Sequence, residues 1–141
     1  LAPRMELSNF YSLFSNGFGM FKTRGSAIIE TDVADVYRMY RPAFPGRLVP
    51  TTVQSPPLGD GDAVDALALD NEQGQWLLLA NRGAQASVSI ALAGFGDGRP
   101  QVVAMSSDDP QARLAPIDIA VDDRAIVLPP LTLARLHWSV S

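Results

Sequence analysis

Gly74–Asn81, GQWLLLAN, and Ala86–Gly94, ASVSIALAG, lie close together in this 141-residue chain, and their reading decides its fold. Successive side chains of a strand point to opposite faces. In the second run Val88, Ile90 and Leu92 therefore share one face and Ser87, Ser89 and Ala91 the other, the pattern of a strand with one side in a core and one side wet or lightly covered. The first run is apolar on both faces from Trp76 to Leu79, which predicts a central strand whose outer side is also covered.

Outward from these two, a period of two holds from Arg47 to the C-terminus, with turn residues about every ten positions. Strands are predicted at 47–54, 63–69, 75–81, 86–93, 101–106, 115–121, 124–128 and 131–139. The expected fold is mainly β: an antiparallel β-sandwich of about eight strands with a short two-helix N-terminal segment. DNEQG (Asp70–Gly74) and GDGRP (Gly96–Pro100) read as turns between strands, Asp122-Asp123 as a two-residue hairpin loop, and Ser106–Arg113 as a longer loop. Pro129 and Pro130 cannot donate ladder hydrogen bonds, so LPPLTLARLHW (Leu128–Trp138) reads as a corner followed by the closing strand. That strand puts Ala134, Leu136 and Trp138 on the core side and Arg135 and His137 on the other.

Residues 1–46 differ from the rest. They hold eight of the nine Phe and Tyr residues, and their apolar positions recur at helical spacing. Leu7, Phe10, Tyr11 and Phe14 form one stripe, ended by Asn16-Gly17. Val33, Val36, Tyr37 and Tyr40 form a second, behind Thr31 or Asp32 as N-cap and stopped by Pro42. The expected organisation is a helical segment at 1–46 and a β-sandwich at 47–141. Isolated helices under about 12 residues are marginal in water, so these aromatic faces need a surface to pack against.

Composition removes several classes of function. The net charge is -4, and the basic residues are scattered arginines with a single lysine, Lys22, which argues against nucleic acid as a partner. No apolar run approaches the roughly 18 residues of a membrane span, so a soluble chain is expected, with cytoplasm and a secreted compartment both open. There is no cysteine, hence no disulfide or thiolate metal site. The chain starts at Leu1 in mid-pattern, as expected of a fragment or a processed product.

The candidate chemistry is thin. Glutamate occurs at Glu6, Glu30 and Glu72 only, and nothing in the pattern sets two carboxyl groups across a sugar at roughly 5–9.5 Å. Glu30 reads as a helix-start carboxylate. GDGDAVD, with Asp60, Asp62 and Asp65, resembles the start of a calcium loop but lacks the later bidentate Glu, so it reads as a solvated loop. His137 is the sole histidine, which excludes a multi-histidine metal site within the chain, and no Gly-x-Ser-x-Gly elbow accompanies it. Gly17-x-Gly19 lacks both a preceding strand and the third glycine of a dinucleotide fingerprint. No catalytic, cofactor-binding or metal-ligating residue is predicted, and no cofactor is expected. Trp76 and Trp138 are the candidates for carbohydrate contact, because aromatic faces suit the apolar faces of sugar rings. Their alternation with aliphatic residues favours a core role.

Three stretches in this order carry a resemblance: Thr31–Pro56 (TDVADVYRMYRPAFPGRLVPTTVQSP), Val64–Phe95 (VDALALDNEQGQWLLLANRGAQASVSIALAGF) and Ala125–Trp138 (AIVLPPLTLARLHW). Together they resemble the end of multidomain retaining clan-A glycoside hydrolases, especially the α-L-arabinofuranosidase-like enzymes, from about Phe18 to Trp138. The resemblance implies a last barrel helix running into a C-terminal sandwich, with LLLANRG as a strand ending in Asn at a hairpin. It implies that the two catalytic glutamates belong to barrel strands outside this chain, so none carries over. It implies as partner a catalytic (β/α)8 barrel, in the same polypeptide or another chain, which this domain would stabilise. Relatives often add a strand from before the barrel, and its lack here would leave an open sheet edge able to pair with another chain as a homodimer. The alternatives are a free-standing carbohydrate-binding module, for which an oligosaccharide is the partner, and an assembly domain. By itself the chain is expected to have no glycosidase activity.

Overall fold

The computed structural model describes residues 19–108, 113–122 and 124–140. The first predicted helix, Leu7–Phe14, lies outside the described residues. By its contacts the chain divides into two compact units, Leu1–Pro42 and Ala43–Ser141.

The first unit is not helical throughout. Strands β1 (Phe21–Arg24) and β2 (Ala27–Glu30) form an antiparallel hairpin that turns through Gly25-Ser26, with Gly25 at φ +63°. A two-residue Gly-Ser loop is a recognised hairpin signal, and the Phe/Tyr spacing masked it. Helix α1 (Asp32–Tyr40) follows and ends two residues before Pro42. Thr31 is its N-cap in extended geometry, but its hydroxyl donates to the Gly19 and Met20 carbonyls instead of capping the helix, tying the helix start to the entry of the hairpin. Arg38 bonds Glu30 and Asp35, each at 2.8 Å, on an exposed surface where such pairs add little.

The predicted stripe of α1 is partly corrected. Ala34 and Met39 are the fully buried residues, Val33, Val36 and Tyr40 are half-buried, and Tyr37 is 42% exposed. A tyrosine tolerates the boundary because one end of the ring is polar.

Burial pushes the Tyr40 phenol up to about 12 from an ordinary 10.0. An acid whose folded pKa is raised keeps its stabilising contribution up to the unfolded value and loses it above. Thermal stability is therefore expected to fall as pH rises from 10.0 towards about 12. Tyr40→Phe should flatten that decline, and an unchanged slope in the variant would refute the assignment.

The second unit contains β3 (Arg47–Val49), β4 (Pro57–Leu58), β5 (Gly61–Asp62), β6 (Val64–Asn71), β7 (Gly74–Asn81), β8 (Val88–Ala91), β9 (Gln101–Ser106), β10 (Ala115–Ile117), β11 (Ala125–Leu128) and β12 (Thr132–Ser139). Six strands form one antiparallel sheet in the order β10-β9-β12-β7-β6-β3, β8 pairs with β11, and β4 with β5. The GQWLLLAN strand is central, as its two apolar faces predict.

The register explains the core. Leu136 lies opposite Leu77 on one side and Val102 on the other, and Ala134 opposite Leu79 and Ala104, so one face of the large sheet is lined with small and branched side chains. Leu92, Val121, Ile126 and Leu128 meet that face in one hydrophobic cluster, which makes the two layers a sandwich. Leu128 and Leu136 are completely buried, each contributing roughly 1.5–3 kcal/mol.

Several strands are shorter than the pattern predicts. The expected 47–54 strand stops at Val49, because Pro50 cannot continue a ladder. The 115–121 strand stops at Ile117, with Val121 returning as a single bridge to Ile126 around a turn in which the Asp122 carboxylate accepts the backbone N–H groups of Arg124 and Ala125. The closing strand begins at Thr132 and not at 131, since Leu131 sits at φ +48° as the pivot of the proline corner. The β4–β5 hairpin at Gly59-Asp60 was not predicted.

Candidate functional site

Asn81 closes β7 and is buried to 3% exposure. Its side-chain NH2 donates to the carbonyls of Ala86 (3.1 Å), Leu128 (3.1 Å) and Pro129 (2.8 Å), while its Oδ1 accepts the N–H of Gly83 (2.9 Å). One amide thus locks the loop before β8 to the proline corner before β12. The remaining corner carbonyl, Pro130, is met by the hydroxyls of Ser106 and Thr132. The sequence marks Asn81 only as a polar residue ending an apolar strand.

Beside that lock lies a cleft of about 1220 Å³. Its floor is the β6–β7 part of the large sheet (Ala66, Ala68, Leu77, Leu79), and β8 and the 50–58 segment form its sides. Gln54, Gln75, Gln85 and Ser89 are among its polar lining residues. Among the described residues no Asp, Glu, His, Lys or Arg lines it. Such walls can bind an extended or apolar group by contact and hydrogen bonds, but they hold no group able to transfer a proton near neutral pH.

The two tryptophans lie on opposite faces of the large sheet. Trp138 is in the sandwich core at 5% exposure, stacked on Phe95 (4.7 Å between ring centroids) and donating its indole N–H to the Gly98 carbonyl at 3.2 Å. Trp76, on the other face, is 3% exposed and donates to Asn71 Oδ1 at 2.8 Å. His137 stacks flat on it at 3.7 Å, and the Arg135 guanidinium sits 5.4 Å from its ring centre. Burial lowers Arg135 from its ordinary value. His137 Nε2 lies 2.9 Å from the Gln73 carbonyl. Neither indole offers a ring face to solvent.

The described carboxylates that form ion pairs are held by arginines and do not line the cleft, and Glu30 and Asp35 meet on one guanidinium. Glu30 and Asp35 pair with Arg38, Asp70 with Arg47 (2.9 Å) and Asp65 with Arg82 (3.0 Å). Arg82 also donates to the Asp62 carbonyl oxygen, so the GDGD stretch is tied down by a cation. Among the described residues no three His, Asp or Glu side chains cluster as metal ligands. No described helix is long and apolar enough to cross a membrane.

The fold so defined is an antiparallel β-sandwich that follows a short hairpin–helix unit in the chain. Solved structures to which this fold is similar include the GH51 arabinofuranosidase from Xanthomonas axonopodis pv. citri (TM-score 0.68, 22% identity, 84% of this chain and 28% of that one) and a family 51 α-L-arabinofuranosidase from Bifidobacterium longum (0.69, 17%, 86% and 28%). The catalytic domain of the GH30 xylanase C from Talaromyces cellulolyticus is similar at TM-score 0.58, with 18% identity over 84% of this chain and 27% of that one. The chain thus spans under a third of the enzymes whose fold it shares. No family model and no curated protein sequence matches it.

Proposed function

We propose that this chain is the β-sandwich portion of a glycoside hydrolase of the α-L-arabinofuranosidase type, C-terminal to a catalytic (β/α)8 barrel that it packs against and stabilises. The observation that carries the reading is the sandwich fold, similar to arabinofuranosidases over 84–86% of this chain; among the described residues its cleft has no titratable side chain. Glycoside hydrolysis needs two carboxyl groups about a sugar-width apart, and the ion-paired acids of this chain sit elsewhere. The likeness to arabinofuranosidases over most of this chain, against less than a third of theirs, supports the same division of labour.

The isolated chain is expected to release no aryl alcohol from aryl α-L-arabinofuranosides above the uncatalysed rate. Turnover that disappears in Glu30→Gln would overturn the non-catalytic role. The rival reading, a free-standing carbohydrate-binding module, is tested by titrating arabinoxylan and following tryptophan emission. With both indoles buried, no saturable change is expected; saturable quenching lost in Trp76→Leu or Trp138→Leu would favour the module.

A further inference from the structure

Aspartate precedes glycine at two places in this chain, Asp60-Gly61 and Asp97-Gly98. In such a pair the glycine N can reach the aspartate Cγ with no Cβ in its way, closing a small ring within one molecule.

The fold restrains the two pairs unequally. Gly61 is paired with Leu58 in the β4–β5 ladder, and Arg82 Nη2 lies 3.3 Å from the position a Cβ would take there. Arg82 also holds Asp65 and the Asp62 carbonyl, on either side of the same short stretch. Asp97 and Gly98 lie instead in an exposed bend between β8 and β9. Gly98 is left-handed at φ +89°, with open space where a Cβ would point. Among the described residues neither the Asp97 carboxyl nor the Gly98 N–H has a hydrogen-bond or ion-pair partner. The flanking residues do: Gly96 N–H donates to Gln75 Oε1 at 2.7 Å and Arg99 Nε to the Val121 carbonyl at 2.8 Å. The two reacting groups are therefore free inside a loop that is anchored on both sides.

We propose that Asp97-Gly98 is a site of spontaneous isoaspartate formation, and that its conversion takes the Trp138 indole off its hydrogen bond. The Gly98 N attacks Asp97 Cγ: the N–Cγ bond forms, a Cγ–O bond breaks, and the carboxyl OH leaves with the amide proton as water. Water then adds to the ring at the Asp97 backbone carbonyl carbon and breaks its bond to the Gly98 N. Gly98 is left joined through Cγ, beside a free α-carboxylate. Water lost is water regained, so no other reactant enters and the mass is unchanged. The main chain is now longer by one carbon at this point. Gly98 carries the carbonyl that accepts the Trp138 indole N–H at 3.2 Å, so the added carbon displaces the acceptor of a buried donor. The inference uses this loop alone and does not depend on the glycosidase reading.

Prolonged warm incubation of the 141-residue chain, native and in concentrated urea, tests it. An endoprotease that cuts before aspartate but not before isoaspartate reads each site, and in oxygen-labelled water each conversion leaves one labelled oxygen in the peptide. Reading each site by itself keeps the signal apart from Asn16-Gly17, a pair that yields isoaspartate by loss of ammonia. In urea the two aspartates should convert at similar rates. In the native chain Asp60 should slow several-fold, whereas Asp97 should keep nearly its urea rate. Asp97→Glu, whose extra methylene demands a larger ring, should suppress label uptake at this position several-fold. Equal native rates at the two sites, or an Asp97 protected as strongly as Asp60, overturn the proposal. Tryptophan emission should shift in proportion to conversion at Asp97, and emission that stays constant while Asp97 converts would refute the link to Trp138.

Discussion

Asn81→Ala is expected to destabilise the sandwich by about 3 kcal/mol, read as a lower urea midpoint at unchanged slope. The substitution removes the donors for the Leu128 and Pro129 carbonyls of the proline corner and for Ala86, and the acceptor for Gly83 N–H. Each buried group left unpaired costs about 1–3 kcal/mol, reduced where water can follow. Asn81→Asp sharpens the argument. An ionised carboxylate of the same shape would face those carbonyls as oxygen against oxygen, so the folded state should favour the protonated acid. That raises its folded pKa, and stability should be retained at low pH and lost as pH rises from about 3.9, the opposite of an ion-paired aspartate. A variant as stable at neutral pH as the parent would show that the amide is not the lock.

Gly74→Ala is the second large effect, expected at about 3 kcal/mol or more. Gly74 begins β7 at φ +131°, and a Cβ there would lie 2.0 Å from the carbonyl oxygen of Trp138 on the neighbouring β12. The strain is compounded, because a side chain opposes this backbone angle and the obstacle is main chain that cannot swing aside. Either β12 shifts at Trp138 or the β6–β7 hairpin opens. Both should move tryptophan emission together with the unfolding midpoint, and a loss below about 0.5 kcal/mol, the range of ordinary surface changes, would refute the contact.

Much of the fold is legible in the chain because alternation is local. β9 runs over the expected residues, and β7 and β12 differ from expectation by a single residue, since Trp76–Leu79 and Leu133–Trp138 carry clear periods. The proline corner is legible too, from two residues that cannot donate to a ladder. What misled was competition between local signals. The aromatic spacing of residues 1–46 outweighed the Gly25-Ser26 loop, and a hairpin stands where only helix and loop were expected. Tyr37 completes a helical stripe in sequence and is nonetheless exposed.

The candidate site was less legible. Trp76 and Trp138 belong to strands apolar enough to predict a buried setting, but the sequence could not show that one stacks on His137 and the other on Phe95. Asn81 and the carbonyls it holds are separated by up to 48 residues, and no periodicity links them.

The sequence by itself determined an antiparallel β chain with a central GQWLLLAN strand and a closing strand after a proline corner. Those follow from residue type and spacing, which act over a few neighbours. Only the tertiary structure decided that β12 lies between β7 and β9, that Gly74 must lack a side chain, that one amide joins the corner to the loop, and that a cleft lies beside β8. Each of these depends on strand order and register, which are set by which distant faces bury each other, and no local pattern carries that information.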